Sequence, residues 1–444
     1  MAKARYKQLV DRFAADIRSG RMAPGTRLAT HRQLAAQEGL ALVTASRIYA
    51  ELETMGLISG EAGRGTFVRD TSLTAGHGID QHPVGLEMVD LNFNNPSLPE
   101  QTDLLRDAMR QLASAGDLSA LLRYQPHGGR PHERAIMASH LETRGVKVSG
   151  DNVLIVNGAQ HGLTVCAMAL LKPGDVVAVD ALTYPGFKVL AEVLHLELLP
   201  IPVAPDGPDL AALRTLCINR RVRAVYAMPT LHNPLGWVTD ETSRKELVAI
   251  ARSHDLILIE DAAYAFLACN PPPPLQALAP ERTLYVSGLS KNVATGLRVG
   301  LVVAPSHWMA AIERSIRATT WNTPGVMTAL ACGWIEDGTV TRLEQNKRLD
   351  AAERQKIASS LLSDIPFLSH PASYFLWVPL GEDVRAEQIV SDLLRENIAV
   401  SNAEPYSTSK HVPHALRLAL GSVAPELLRS ALQTVGKVIR HYTY

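Results

Sequence analysis

The chain has 444 residues, 46% of them hydrophobic and 20% charged, and 44 Lys and Arg offset 44 Asp and Glu. That length exceeds one ordinary hydrophobic core and predicts two or three domains. The composition excludes a largely disordered chain, and the neutral sum excludes one that is basic throughout. The four cysteines, Cys166, Cys217, Cys269 and Cys332, form no CxxC pair. They carry no zinc or redox signature and predict free thiols in a reducing compartment. The opening MAKARYKQ has no apolar stretch, and no apolar run reaches the ~18 residues of a membrane helix. The expectation is a cytoplasmic protein with no membrane partner and no metal.

Charge is unevenly spread. Residues 1–70 hold 11 Lys and Arg against 7 Asp and Glu, which is +4 and leaves −4 for the rest. Within this head, Leu9, Val10, Phe13 and Ile17 repeat at helical spacing over 6–19. Gly20, Pro24 and Gly25 then break the chain. A short helix is predicted over 30–37 with Leu34 and Ala35 inward. A third is predicted over 43–55 with Ala45, Ile48, Tyr49 and Leu52 inward. LISGEAGRGTFV reads as two strands about a turn at 63–65. Three helices and a hairpin in this order predict a winged helix-turn-helix, whose third helix enters the major groove of double-stranded DNA.

The stretches IRSGRMAPGTRLATHRQLA, YAELETMGLI and GRGTFV resemble the GntR family of bacterial regulators. Two positions depart from it. The usual Pro-Ser before the second helix is Ala29-Thr30, and the Ser-Arg that often opens the recognition helix is Ala41-Leu42. Leu42 cannot make an arginine's bidentate guanine contact, so base reading is expected to shift to Thr44, Ser46 or Arg47. Arg32, which matches a DNA-contacting arginine of the family, and Arg64 in the wing are the phosphate candidates.

Residues 71–88 lack periodicity and read as a linker. From residue 89 to 444 the pattern becomes that of an α/β domain. Strands are expected at 153–157, 176–180, 224–229, 256–261, 283–287 and 300–305, with helical stretches between most of them. This predicts a mostly parallel sheet with helices on both faces and ligands at the carboxyl ends of its strands.

Five polar pieces fall at such ends. NGAQHGL opens a helix at Gly158, Ala159 and Gln160, whose backbone N–H groups suit an anion. TYPG places Tyr184 where its face could stack on a ring. HNPLG offers Asn233 as a donor. IEDAAYAF ends an apolar strand at Asp261, with Tyr264 three residues on. A carboxylate buried there needs a cationic partner or a site role. SGLSKNVATGLRVG carries Lys291 and Arg298.

In this order the pieces resemble the fold-type I aminotransferases that use pyridoxal 5'-phosphate, over residues 89–444. The resemblance implies a small C-terminal α+β subdomain and a role for each residue. Lys291 would form the Schiff base with the cofactor, and Asp261 would pair with the pyridine nitrogen. Tyr264 and Asn233 would bond the phenolic oxygen, and Tyr184 would stack on the ring. Gly158, Ala159, Gln160 and Arg298 would hold the phosphate, with Ser290 beside them. Tyr124 matches a tyrosine that reaches the phosphate across a dimer interface. Arg417 would clamp an α-carboxylate. Three departures stand out: Gly288 where a hydroxyl residue is usual, Pro126-His127 for Asp-Pro, and Glu133 for leucine.

A winged helix joined to an aminotransferase-like domain is the architecture of the MocR subfamily of GntR regulators. It implies a domain-swapped homodimeric transcription factor that senses an amino- or carboxylate-bearing effector, or the cofactor itself. A working aminotransferase with an accessory head stays open on the residues alone. So does a large domain kept only for dimerisation.

Overall fold

The computed structural model describes residues 2–23, 26–61, 65–68, 88–115, 117–409 and 412–443. Arg64 and residues 71–87 of the expected linker lie outside them.

The head contains α1 (Ala2–Arg18), α2 (His31–Glu38) and α3 (Leu42–Thr54), followed by β1 (Ile58–Glu61) paired antiparallel with β2 (Gly65–Val68). Thr30 starts α2 because its hydroxyl accepts from the Gln33 N–H while the Gln33 side chain accepts from the Thr30 N–H. Gly39, at φ 63°, ends the helix in the left-handed conformation that glycine adopts without steric cost. The periodic residues Leu9, Val10, Ile17, Leu34, Ala45, Ile48, Tyr49 and Leu52 form one buried core. Each large aliphatic among them stabilises the head by roughly 1.5–3 kcal/mol.

The head sits on the C-terminal subdomain through Arg385, which immediately precedes the helix Ala386–Arg395. Arg385 Nη2 donates to Asp11 Oδ2 at 2.9 Å and to the Lys7 carbonyl at 3.0 Å, both on α1. Its Nε lies 3.3 Å from Glu51 Oε1 on α3, and Nη1 donates to His414 Nε2. The Nε–Glu51 contact is an ion pair without hydrogen-bond alignment. Burial pushes the Glu51 carboxyl above its ordinary value, with Arg385 opposing that shift.

The large body is built on seven strands. Their order is Val153–Val156, Gly300–Val303, Thr283–Gly288, Ile257–Asp261, Val222–Ala227, Val176–Asp180 and Glu197–Ile201. Gly300–Val303 runs antiparallel to both neighbours, and the other pairings are parallel. Alternate residues serve opposite faces: Val177 and Val179 pack with the helix Gly158–Leu170, Val176 and Ala178 with Leu210, Leu213 and Leu247. Continuous apolar strands follow from cover on both faces. The edge strand Glu197–Ile201 was not expected. It contains Pro200 and is only partly buried, as an edge permits.

The chain re-enters the described residues at the small subdomain, where Val89–Asp90 pairs parallel with Ile398–Ala399. That subdomain holds an antiparallel sheet of Phe375–Pro379, Ala415–Ala419 and Ser401–Asn402, packed by Ala386–Arg395 and Pro425–Thr443. Among the described residues, no helix is long and apolar enough to cross a membrane.

Candidate functional site

A cavity of about 520 Å³ opens where the strand ends of the large sheet meet the small subdomain. Its lining includes Ala159, Gln160, Tyr184, Asn233, Asp261, Tyr264, Ser290, Lys291, Arg298 and Arg417. Residues from five separate sequence pieces and the C-terminal sheet thus face one space. Gly158 lies against the same wall beside Arg298.

Each is placed by local structure. Gly158, at φ 81°, begins its helix, and a Cβ there would lie 2.7 Å from Arg298 Nη2. Gly300 lets its strand approach, since a Cβ would come within 2.5 Å of the Gly158 carbonyl carbon. Arg298 follows a short 3-10 turn and holds φ 51°, a costly conformation for a side-chain-bearing residue. Its Nη1 donates to Ser290 Oγ at 3.3 Å and its Nη2 to the Asn157 carbonyl at 3.1 Å. A helix N-terminus without a side-chain cap and a guanidinium therefore converge at one corner. Gly288 fits this crowding: a Cβ would sit 3.2 Å from the Val299 carbonyl and 3.3 Å from the Ala159 nitrogen.

Asp261 ends its strand and is buried, which raises its carboxyl above the ordinary range. The Ala263 N–H and the Tyr226 hydroxyl, donating to Oδ1 and Oδ2 at 3.0 and 2.8 Å, oppose that shift. Tyr226 itself is fixed by a stacked contact with Phe187, centroids 3.9 Å apart. Lys291 Nζ lies 5.9 Å from the Tyr264 ring centroid and donates to the Asn94 carbonyl at 2.7 Å. Arg417 is buried between Phe375 and Tyr406. It donates to the Asn92 carbonyl at 2.8 Å and to Asn233 Oδ1 at 3.4 Å.

Four buried polar atoms on lining residues have no hydrogen-bond partner among the described residues: Asn94 Nδ2, Gln160 Oε1, the Tyr406 hydroxyl and Arg417 Nε. Such atoms are costly unless a polar ligand meets them. Carboxylate, ammonium, aromatic faces and an anion corner are the donor set that a phosphorylated, protonated pyridine aldehyde requires, so the residues present fit that group.

Tyr124 stands apart. It is 85% exposed, lies against Trp321 at 5.4 Å and does not line the cavity of its own chain.

One part of the site, a strap of residues 92–95, carries no motif in the sequence. Residues 92–95 line the cavity and are held by it. Besides the bonds from Lys291 and Arg417, Ser401 Oγ donates to Asn92 Oδ1, Gly421 N to Asn94 Oδ1, and Ser422 Oγ to the Phe93 carbonyl. Lys347, fully buried, donates to the carbonyls of Pro96, Lys291 and Val293 at 2.8, 3.1 and 2.6 Å. Burial lowers its ammonium to about 8. It thereby joins the strap to the Lys291 loop. The only sequence signal was the run of asparagines in NFNNP.

On the head, Arg32 and Arg47 are exposed and Thr44 and Ser46 half-buried. The Ser46 hydroxyl pairs with His31 Nδ1 at 3.0 Å, and the Arg47 guanidinium lies 4.9 Å from the Tyr6 ring centroid.

Residues 87–435 match the family model for aminotransferase class I and II. The chain belongs to that family. Residues 5–68 match the bacterial regulatory proteins of the GntR family, so the domain order is that of the MocR subfamily of regulators. The chain is 26% identical to an uncharacterized HTH-type transcriptional regulator, YdeF of Bacillus subtilis (strain 168), over 96% of this chain and 92% of that one. It is also 26% identical to a 2-aminoadipate transaminase of Thermus thermophilus, over 78% of this chain and 88% of the relative. In structure it resembles Pyrococcus horikoshii kynurenine aminotransferase in complex with PMP, with TM-score 0.75 and 22% identity. That likeness covers 80% of this chain and 92% of the other. This MocR-type chain is a transcriptional regulator with an aminotransferase-like domain.

Proposed function

We propose that this regulator binds pyridoxal 5'-phosphate at Lys291 and senses either the cofactor itself or a small effector that bears an amino group and a carboxylate. When bound, the cofactor supplies an aldehyde for an amine and an electron-withdrawing ring. The chain's residues divide the rest. Lys291 anchors the cofactor covalently, Asp261 faces the ring nitrogen, and Tyr184 covers a ring face. Asn233 and Tyr264 hold the ring oxygen. Gly158, Ala159, Gln160, Ser290 and Arg298 take the phosphate, and Arg417 takes the effector's carboxylate. Tyr124 is assigned to the phosphate site of a second copy in a domain-swapped homodimer. Its exposure supports that reading, since it needs a partner to be covered.

The observation that carries the sensory reading is the strap. The two cations that a cofactor and a carboxylate would engage, Lys291 and Arg417, donate here to the Asn94 and Asn92 carbonyls. Those residues follow directly from Val89–Asp90 on the small subdomain, where the head is seated. A ligand that draws both donors away frees the strap, so its binding energy differs between two arrangements of the chain.

Head placement on half-sites then follows ligand occupancy. An absorbance titration tests this: added pyridoxal phosphate is expected to give a visible band that Lys291→Ala abolishes and that amino carboxylates alter. A band unaffected by that substitution would overturn the assignment.

A second reading, a working aminotransferase, is favoured by the joint presence of Lys291, Asp261 and Arg417 in the cavity. Turnover of amino acids on the order of 1 per second or faster would support it over the sensor.

A further inference from the structure

Of the polar side chains that its sequence suggested, the head's recognition helix leaves Arg47 exposed and Thr44 and Ser46 half-buried. Ser46 bonds His31, and the exposed Arg47 guanidinium lies over the Tyr6 ring. What the first turn of α3 presents is Leu42, 46% exposed, and Val43, 80% exposed. A single exposed aliphatic needs no explanation. Two adjacent ones occupy the turn that, in a helix-turn-helix, meets the base edges. The surroundings suit duplex DNA: the head carries +4, and Arg32 on α2 is exposed. The α3 N-cap, Ala41, makes no side-chain bond across this turn.

In the major groove the apolar feature of a base pair is the thymine C5-methyl, and aliphatic side chains contact it. Guanine recognition needs two donors from one side chain, and neither Leu42 nor Val43 has any. We infer that Leu42 and Val43 are specificity-determining residues that read thymine methyl groups, so that this head selects half-sites with thymines where an arginine-bearing relative would take guanine. Arg32 supplies a sequence-independent phosphate contact. The inference rests on the DNA-binding reading of the head and adds the class of site.

The test uses the full-length chain and a pool of randomised duplexes. Selected duplexes are rebuilt with deoxyuridine replacing thymidine one position at a time, which removes the methyl and leaves pairing intact. The expected result is enrichment of thymines at adjacent positions, each losing about fourfold in affinity on the change to deoxyuridine. Leu42→Ala or Val43→Ala should abolish the thymidine–deoxyuridine difference at one position while keeping the salt dependence of binding, which shows that the head is still folded. Leu42→Arg should move the preference at its position towards guanine. Enriched sites that keep full affinity with deoxyuridine throughout would overturn the inference and leave DNA binding standing. No enrichment of any duplex would overturn both.

Discussion

Arg385 and Arg417 are both almost inaccessible, at 1% and 3% exposure, and both belong to the small subdomain. Arg385 meets two carboxylates, Asp11 at 2.9 Å and Glu51 at 3.3 Å, with a carbonyl and an imidazole beside them, although its Nε, like that of Arg417, has no aligned acceptor among the described residues. Arg417 has, among the described residues, no carboxylate within ion-pair distance. It has two aromatic faces, a carbonyl, an amide oxygen and an unpartnered Nε. A buried charge must be compensated, and the two sites differ in whether the chain itself does so. The compensated arginine joins two folded units. The uncompensated one faces a cavity and suits an anion from outside.

Breaking each site should therefore give different outcomes. Arg385→Ala strands Glu51 at the head–body contact, and the expected loss is about 3–5 kcal/mol in the stability of that assembly. Calorimetry should show the head melting earlier, as a separate transition. Arg417→Ala strands no carboxylate, so its thermal midpoint should move less than that of Arg385→Ala. Affinity for a carboxylate ligand should fall by about 2–3 kcal/mol, roughly a hundredfold, in a calorimetric titration. Arg417→Lys should recover only part of this, because an ammonium cannot make the bidentate contact.

Tyr226→Phe removes one donor that holds Asp261 ionised. It should weaken cofactor binding by about 1 kcal/mol and shift the acid limb of the absorbance–pH profile to higher pH.

The smallest effect concerns Glu51. Its raised carboxyl means that the folded head binds this proton more tightly than the unfolded chain. Stability then falls as pH rises from the ordinary carboxyl range through the folded value, and levels off above it. Glu51→Gln should flatten that limb in thermal melts taken between about pH 4 and pH 8. A slope unchanged by the substitution would mean that Glu51 is not held there by burial.

How much of this was legible depends on which groups make the contacts. Side chains with a chemical signature at strand ends, such as Asp261, Lys291 and Arg298, were visible because spacing and residue type both mark them, and the structure brings them to one cavity. The head's helices were readable from periodicity, with ends off by a few residues. The strap was not, because its bonds run largely through the backbone carbonyls of Asn92, Phe93 and Asn94, which have no residue-type signal. Tyr226 was hidden inside the apolar strand AVYAMP, where an aromatic reads as packing. Arg385, in GEDVRAEQ, reads as a surface charge, because its partners lie on α1 and α3, more than 300 residues earlier. In the sequence, the apolar first turn of α3 shows at Leu42 only as a lost guanine contact. Its consequence depends on the exposures of Leu42 and Val43 and on the bond from Ser46 to His31, which spacing does not reveal.

Occupancy of the Lys291 cavity should change how the head engages DNA. Fluorescence anisotropy on one selected duplex tests it most directly, with the full-length chain alone, with pyridoxal phosphate, and with an amino carboxylate added. DNA affinity is expected to change within about 5–150-fold across these states, and that change to be lost in both Lys291→Ala and Arg417→Ala. Identical affinities in all three states, alongside a normal cofactor absorbance band, would contradict it.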